Sequence, residues 1–174
     1  MKWRFGINVG LWIGATVGLY SFLYALTPLG AAGVLPCTFV ALPIFLNGGA
    51  KKEEFLGYCS SALLGVGWAA VFIHGIGFGI SEGLPPAVST GLVLFVVTAI
   101  ICALHLIFTP KGLFSSIPMI FGAVASTFLI GLDKWYLIMP TLLGGILMGY
   151  INSLGFKLVD ADGRWLFLTR SNVA

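Results

Sequence analysis

The chain has 174 residues, 59% hydrophobic and 9% charged, with mean hydropathy +1.04. A soluble domain carries about 25% charged residues, so this composition excludes a soluble globular domain and predicts a polytopic membrane protein forming one compact domain. The net charge of +3 comes from basic residues scattered singly or in pairs between apolar segments; they report orientation and exclude a nucleic-acid-binding patch.

In chain order, Met1-Lys2-Trp3-Arg4 and the apolar residues after it imitate a secretory signal. The apolar run continues to about Leu26 without a convincing small-x-small cleavage site, so a retained first span is expected. Six apolar segments follow one another at about 5–26, 30–46, 55–79, 85–108, 113–131 and 135–155, each read as a membrane-spanning helix. The first carries Gly6, Gly10, Gly14 and Gly18, a stripe about 18 Å long on a helix. Such a stripe predicts tight helix packing, within the protomer or between protomers; a sliding surface for a gate is the alternative. Shorter versions are Gly75 with Gly79 and Gly145 with Gly149. Trp3, Trp12, Tyr58, Trp135 and Tyr136 lie towards span ends and read mostly as headgroup-level aromatic residues. The tail, 156–174, is polar and read as cytoplasmic, with a short amphipathic piece expected around Trp165-Leu166-Phe167-Leu168.

With the N-terminus in the cytoplasm, six spans place Lys2, Arg4, Lys51, Lys52, Lys111, Lys157, Arg164 and Arg170 inside and only Lys134 outside. That bias fits an N-in, C-in protein. Making segments two and five re-entrant removes it.

A duplication crosses this topology. Thr27-Pro28-x-Gly30 followed by Pro36, Phe39, Ala41 and Gly49 recurs as Thr109-Pro110-x-Gly112 followed by Pro118, Phe121, Ala123 and Gly131, always 82 residues on. Seven identities fall in 23 residues, where chance in such a chain gives roughly two. Six spans put the two copies in opposite orientations, a 3+3 inverted-topology repeat with copies at about 5–80 and 85–155 in one transmembrane domain, 1–155. Leu63-Leu64-Gly65 aligns with Leu142-Leu143-Gly144, and Ser61 falls against Pro140-Thr141. Segments one and four share almost nothing at residue level.

No Asp, Glu, Lys or Arg is placed mid-bilayer. Such a charge costs about 2.5–3.5 kcal/mol or more and is kept for function, so the pattern argues against a carboxylate proton pump, a voltage sensor or a charged selectivity ring. No nucleophile–base pair is visible, and Cys37, Cys59 and Cys102 match no metal motif; an enzyme, a metal and a cofactor are not expected. His74 and His105 fall near opposite faces and read as interfacial residues, or as one histidine at each mouth of a pathway. Pro36 and Pro118, read as lying within their helical segments, each remove a backbone donor and free a carbonyl of the preceding turn, with Thr38, Ser115 and Ser116 nearby as partners. Two readings stand: a kinked helix stapled by hydroxyls, or a paired interrupted site with Pro36, Thr38, Phe39, Ser115, Ser116, Pro118 and Phe121 along a solute path.

The stretch Asp133-Lys134-Trp135-Tyr136-Leu137-Ile138-Met139-Pro140-Thr141-Leu142-Leu143-Gly144-Gly145, running on to Gly149-Tyr150, resembles the signature of the YcdZ-like inner-membrane proteins, domain-of-unknown-function family 1097. Gly33-Val34-Leu35-Pro36-Cys37-Thr38-Phe39 and Leu63-Leu64-Gly65-Val66-Gly67-Trp68 resemble it too. The resemblance implies a small multi-pass protein of the bacterial cytoplasmic membrane and supplies no activity or site residues. The expectation is a channel or transporter for a small neutral or weakly polar solute, in a homo-oligomer within the lipid bilayer, with its path between segments two and five. The alternative is a non-transporting scaffold or accessory subunit.

Overall fold

The computed structural model describes residues 2–167. Helix α1 (Lys2–Ala25) leads to a single turn, α2 (Pro28–Ala31), and then, past Gly33 at φ 71°, to α3 (Pro36–Asn47). A 3-10 turn, Lys52–Glu54, opens α4 (Phe55–Ser81); Glu82-Gly83-Leu84 reverses the chain into α5 (Pro86–Phe108). After the loop 109–116 come α6 (Ile117–Ile130), a 3-10 turn at Leu132–Lys134 and α7 (Trp135–Leu158).

The prolines do not sit where the sequence reading put them. Pro36 is the first residue of α3 and Pro118 the second of α6. Those positions need no backbone donor, and the ring presets the helical φ. The breaks therefore precede these prolines, at Ala32–Leu35 and in the loop 109–116. Inside helices stand Pro43 and Pro140 instead.

Four helices, α1, α4, α5 and α7, are long and apolar enough to cross a membrane. Of the other three, α2 is a single turn, and α3 and α6 have 12 and 14 residues, rising about 18 and 21 Å against a hydrocarbon core of about 30 Å.

The short helices form the centre. The closest packing is of α3 on α7 and of α6 on α4; α3 also meets α6, and α4 meets α7. Outside this group, α1 lies along α7 and α5 along α4. One buried cluster, including Ala41, Phe45, Ala62, Val66, Met119, Ala123, Leu142 and Ile146, joins all four central helices. A second, including Phe72, Val97, Ile101 and Ile120, joins α5 to α4 and α6.

Missing side chains permit the close crossings, as membrane helices without a hydrophobic drive towards one another require. A Cβ on Gly145 would stand 2.6 Å from the Thr38 carbonyl oxygen and 2.9 Å from the Ala41 Cβ. A Cβ on Gly65 would overlap the Ile120 carbonyl oxygen and stand 2.7 Å from the Ala123 Cβ. Gly75 and Gly79 similarly face Val93 and Ser89. The α1 stripe differs: Gly6, Gly10, Gly14 and Gly18 are exposed, with nothing within 4 Å of an added Cβ. Among the described residues they pack against nothing.

Charge divides by end. Lys51, Lys52 and Lys157 line one cavity with Glu53, Arg4 and Arg164 a second with Asp162, and Lys111 a third with Glu54. All lie at the end where α1 begins and α7 finishes, while Lys134 precedes α7 at the opposite end. Arg170 and Leu168 lie outside the described residues.

Candidate functional site between α3 and α6

The inner face of α3, with Cys37, Thr38, Ala41, Leu42 and Phe45, is buried; Gly145 and Gly149 of α7 meet the Thr38 and Leu42 carbonyls. Pro36, Phe39 and Pro43 are consequently exposed. On α6, Pro118 is exposed and Phe121 half-buried. Of the seven expected path residues, Ser115, Ser116 and Pro118 come together; Pro43, Ile44, Asn47, Gly48 and Tyr58 join them around an open cleft of about 620 Å³. Thr38 points elsewhere, towards the Tyr20 hydroxyl at 3.0 Å and the Thr141 carbonyl at 3.4 Å.

The cleft is shaped by the loop before α6, and hydroxyls hold that loop. The Ser116 N–H donates to Ser61 Oγ at 3.1 Å, and the Phe114 N–H donates to Ser60 Oγ at 3.0 Å. Ser115 Oγ donates to the Gly112 carbonyl at 2.8 Å, and Ser116 Oγ accepts from Met119 N–H at the start of α6. Gly57 leaves room for the Gly112 carbonyl against α4. Phe114 takes a left-handed φ of 60°, a conformation that costs a bulky residue about 1–3 kcal/mol and persists only where surroundings impose it. His105, buried on the last turn of α5, braces the other side through Nδ1 and Thr109 Oγ1 at 2.8 Å. His74 is exposed on α4 and lines none of these cavities.

Deeper along the crossing, α3 closes on α6. A Cβ on Gly122 would stand 3.0 Å from Val40 Cγ1 and 2.8 Å from Ile44 Cδ1. Val40 and Gly122 occupy the same place in the two copies of the repeated motif, 82 residues apart. Identity matching could not reveal the pair, because the residues differ.

The sequence reading also missed a polar ladder on α1. Asn8, Trp12, Thr16, Tyr20 and Tyr24 recur every fourth residue, on the face opposite the glycines. Asn8 Nδ2 donates to the Gly163 carbonyl at 2.7 Å, Trp12 Nε1 to the Ile151 carbonyl at 3.0 Å, and Thr16 Oγ1 to Asn152 Oδ1 at 2.7 Å. Tyr24 shares a 2.6 Å hydrogen bond with Thr141 Oγ1. Trp12 is thus a seam residue rather than a headgroup anchor. Beside α5 the corresponding contacts are apolar, among Val97, Ile101 and Phe72. Asn152 is fully buried, and its Nδ2 has no hydrogen-bond partner among the described residues.

The ladder also fastens the start of the tail. Asp160 organises a turn, accepting from Asp162 N–H and Arg164 N–H through Oδ1 at 2.9 and 2.8 Å. Gly163, at φ 80°, packs directly on the backbone of Arg4 and Phe5. Facing the solvent, Lys51 pairs with Glu54 at 3.0 Å, and the carboxylate raises the Lys51 pKa above its usual value.

A family model described as protein of unknown function (DUF1097) matches residues 10–156. The inner membrane protein YcdZ of Salmonella typhimurium (strain LT2) is 32% identical over 150 residues, 83% of this chain and 85% of that protein. The inner membrane protein YcdZ of Escherichia coli (strain K12) is 32% identical over 151 residues, 83% of each chain. No solved structure matches. With four helices able to cross a bilayer and relatives in the bacterial inner membrane, the chain is a multi-pass inner-membrane protein and belongs to the DUF1097 family.

Proposed function

We propose that the protein is a channel or transporter for a small neutral or weakly polar solute, built as a six-pass inverted repeat with its path between α3 and α6. The observation that carries this reading is a duplicated burial pattern. Cys37, Thr38, Ala41, Leu42 and Phe45 of α3 are buried, and so are Met119, Ile120, Ala123, Val124 and Thr127 of α6, each 82 residues on. Ser61, Ala62, Gly65, Val66, Ala69 and Phe72 of α4 are matched by Thr141, Leu142, Gly145, Ile146, Gly149 and Asn152 of α7, each 80 residues on. The counterpart of Gly65 is then Gly145, one residue beyond the Gly144 that sequence alignment suggests. Helix pairing follows the same exchange, α3 on α7 against α6 on α4, and α1 on α7 against α5 on α4.

A pseudo-two-fold axis relating two such halves passes where equivalent residues touch, which is the Val40–Gly122 contact. The cleft of Ser115, Ser116 and Pro118 leads towards that contact from the basic end. Val40 and Ile44 over Gly122 then form the constriction, and selection rests on width and on the hydroxyl and carbonyl groups of the cleft. Together with the segments that precede them, the short helices complete six passes with N- and C-termini inside, in keeping with the gathering of basic residues at one end. A scaffold role is the second reading, favoured by the outward glycine face of α1, which also suits a homo-oligomer.

Stopped-flow light scattering on proteoliposomes, with a panel of small neutral solutes, tests the path. Wild type is expected to pass at least one solute above the rate of empty liposomes. Gly122→Val should bring that flux to background, Val40→Ala should raise it several-fold, and the outward-facing Phe39→Ala should leave it unchanged. Folded proteins with no flux in wild type and none in Val40→Ala would contradict the path and favour the scaffold.

A further inference from the structure

A cavity of about 630 Å³ opens at the basic end, away from the α3–α6 cleft, between the turn that follows α3 and the last turns of α7. Lys51, Lys52 and Lys157 line it with the single carboxylate Glu53. Glu54, behind Lys51, is paired with it. Lys52 and Lys157 have no acidic partner within 4.0 Å among the described residues. Three ammonium groups against two carboxylates leave one net positive charge. The α7 wall adds Tyr150 and Ser153; the Ser153 Oγ donates its hydrogen to the Tyr150 carbonyl at 2.7 Å and is left an acceptor, suited to a headgroup hydroxyl while the ammonium groups take the phosphate oxygens. Phe156 supplies an apolar flank, 48% exposed.

The turn that forms the cavity floor is specified. Gly49 has φ 94° and Ala50 φ 46°, a left-handed position for a non-glycine residue. The Ala50 side chain is buried in the central cluster, and its N–H donates to the Phe45 carbonyl at 3.1 Å. This arrangement turns the chain so that Lys51 and Lys52 face α7. Strained backbone of this sort concentrates where geometry serves a ligand.

We propose that this cavity binds a phosphate-bearing monoanion, and that its source is the phosphodiester headgroup of an anionic phospholipid. One net positive charge matches a phosphodiester. The cavity stands at the end where the basic residues gather, between the last turns of α7 and the 3-10 turn that starts at Lys52, the end that the positive-inside rule sets at the cytoplasmic membrane surface, and its mixed lining of ammonium groups, Ser153 and Phe156 suits a headgroup continuing into a glycerol backbone. Free phosphate would leave the apolar flank unused.

Thermal unfolding of the full chain in neutral detergent tests this, with short-chain phosphatidylglycerol, short-chain phosphatidylcholine and inorganic phosphate as probes. Phosphatidylglycerol is expected to raise the melting temperature saturably and phosphatidylcholine not to. Affinity should fall about fivefold for each lysine neutralised in Lys52→Gln/Lys157→Gln, stay near wild type in Lys52→Arg/Lys157→Arg, and be unchanged in Lys111→Gln, a control for general surface charge. In unaltered protein it should weaken as salt rises. A response to inorganic phosphate equal to that to phosphatidylglycerol would support the anion site with free phosphate as its source. No saturable response to either anion, an equal response to phosphatidylcholine, or an equal loss in Lys111→Gln would overturn the proposal.

Discussion

Gly65→Leu and Gly145→Leu are each expected to abolish folded protein. Each glycine lets a short central helix lie directly on a long one: at Gly145 an added Cβ meets the Thr38 carbonyl oxygen at 2.6 Å, and at Gly65 it overlaps the Ile120 carbonyl oxygen. A flexible side chain could swing away; a carbonyl in the first turn of a helix, as at Thr38 and Ile120, moves only if that end of the helix moves. Overpacking costs typically about 1–3 kcal/mol even where side chains yield, and here the backbone of α3 or α6 must shift. The check is the yield of monodisperse protein after mild detergent extraction, with its melting temperature. Alanine at either site should lower the melting temperature, and leucine should leave almost no extractable protein. Gly10→Leu and Gly14→Leu should behave oppositely, giving wild-type yield, because among the described residues nothing lies within 4 Å of an added Cβ. A smaller particle with unchanged protomer stability in these two would mark the α1 stripe as an interface between copies.

The second large effect is expected from Ser60→Ala/Ser61→Ala. Ser61 Oγ accepts from the buried Ser116 N–H, and Ser60 Oγ accepts from Phe114 N–H. Removing both leaves two donors unpaired, one of them buried, at about 1–3 kcal/mol for a buried group. It also releases the strained Phe114 at φ 60°. The loop 109–116 should then detach from α4 while the helices remain. Lys111 stands exposed in this loop, so trypsin cleavage after Lys111 in detergent-solubilised protein should accelerate at least tenfold. Far-ultraviolet circular dichroism should be nearly unchanged. Cleavage at the wild-type rate would mean that the serines do not hold the loop.

Much of this architecture is legible in the sequence, because a membrane helix announces itself by length and hydropathy. Segments expected at 55–79 and 85–108 are found at Phe55–Ser81 and Pro86–Phe108. Segments two and five are less well read. Their apolar character runs through the breaks at Ala32–Leu35 and 109–116, so hydropathy cannot separate the non-helical part from the 12- and 14-residue helices that follow. The sequence reading sets Pro36 and Pro118 within helices, whereas they stand in the first turns of α3 and α6.

The repeated motif shows at seven identities, yet the buried pairs it implies are mostly not identical. Thr38 stands against Ile120 and Phe45 against Thr127, because burial preserves which face packs and only loosely which residue packs there. Helices α1 and α5, counterparts in the proposed repeat, share no residue pattern: α1 meets α7 through Thr16 and Tyr24, and α5 meets its neighbours through Val97 and Ile101. Within a helix so apolar, Trp12, Tyr20 and Tyr24 read as hydrophobic, and their hydrogen-bonding period is hidden behind the more conspicuous glycines. The docking of Gly163 on α1 rests on the Asn8 amide, 155 residues away, and no local pattern announces it.

The most direct test of the inverted repeat that underlies the proposed path is the sidedness of two equivalent positions. Lys51 follows α3 and Asp133 follows α6, 82 residues apart and both exposed. In protein with Cys37, Cys59 and Cys102 replaced by alanine, Lys51→Cys and Asp133→Cys would be labelled with a membrane-impermeant maleimide in intact cells and in inverted vesicles. The expected result is labelling of position 51 only from the cytoplasmic side and of position 133 only from the opposite side. Labelling of both from one side would make α3 and α6 re-entrant and contradict the six-pass inverted repeat.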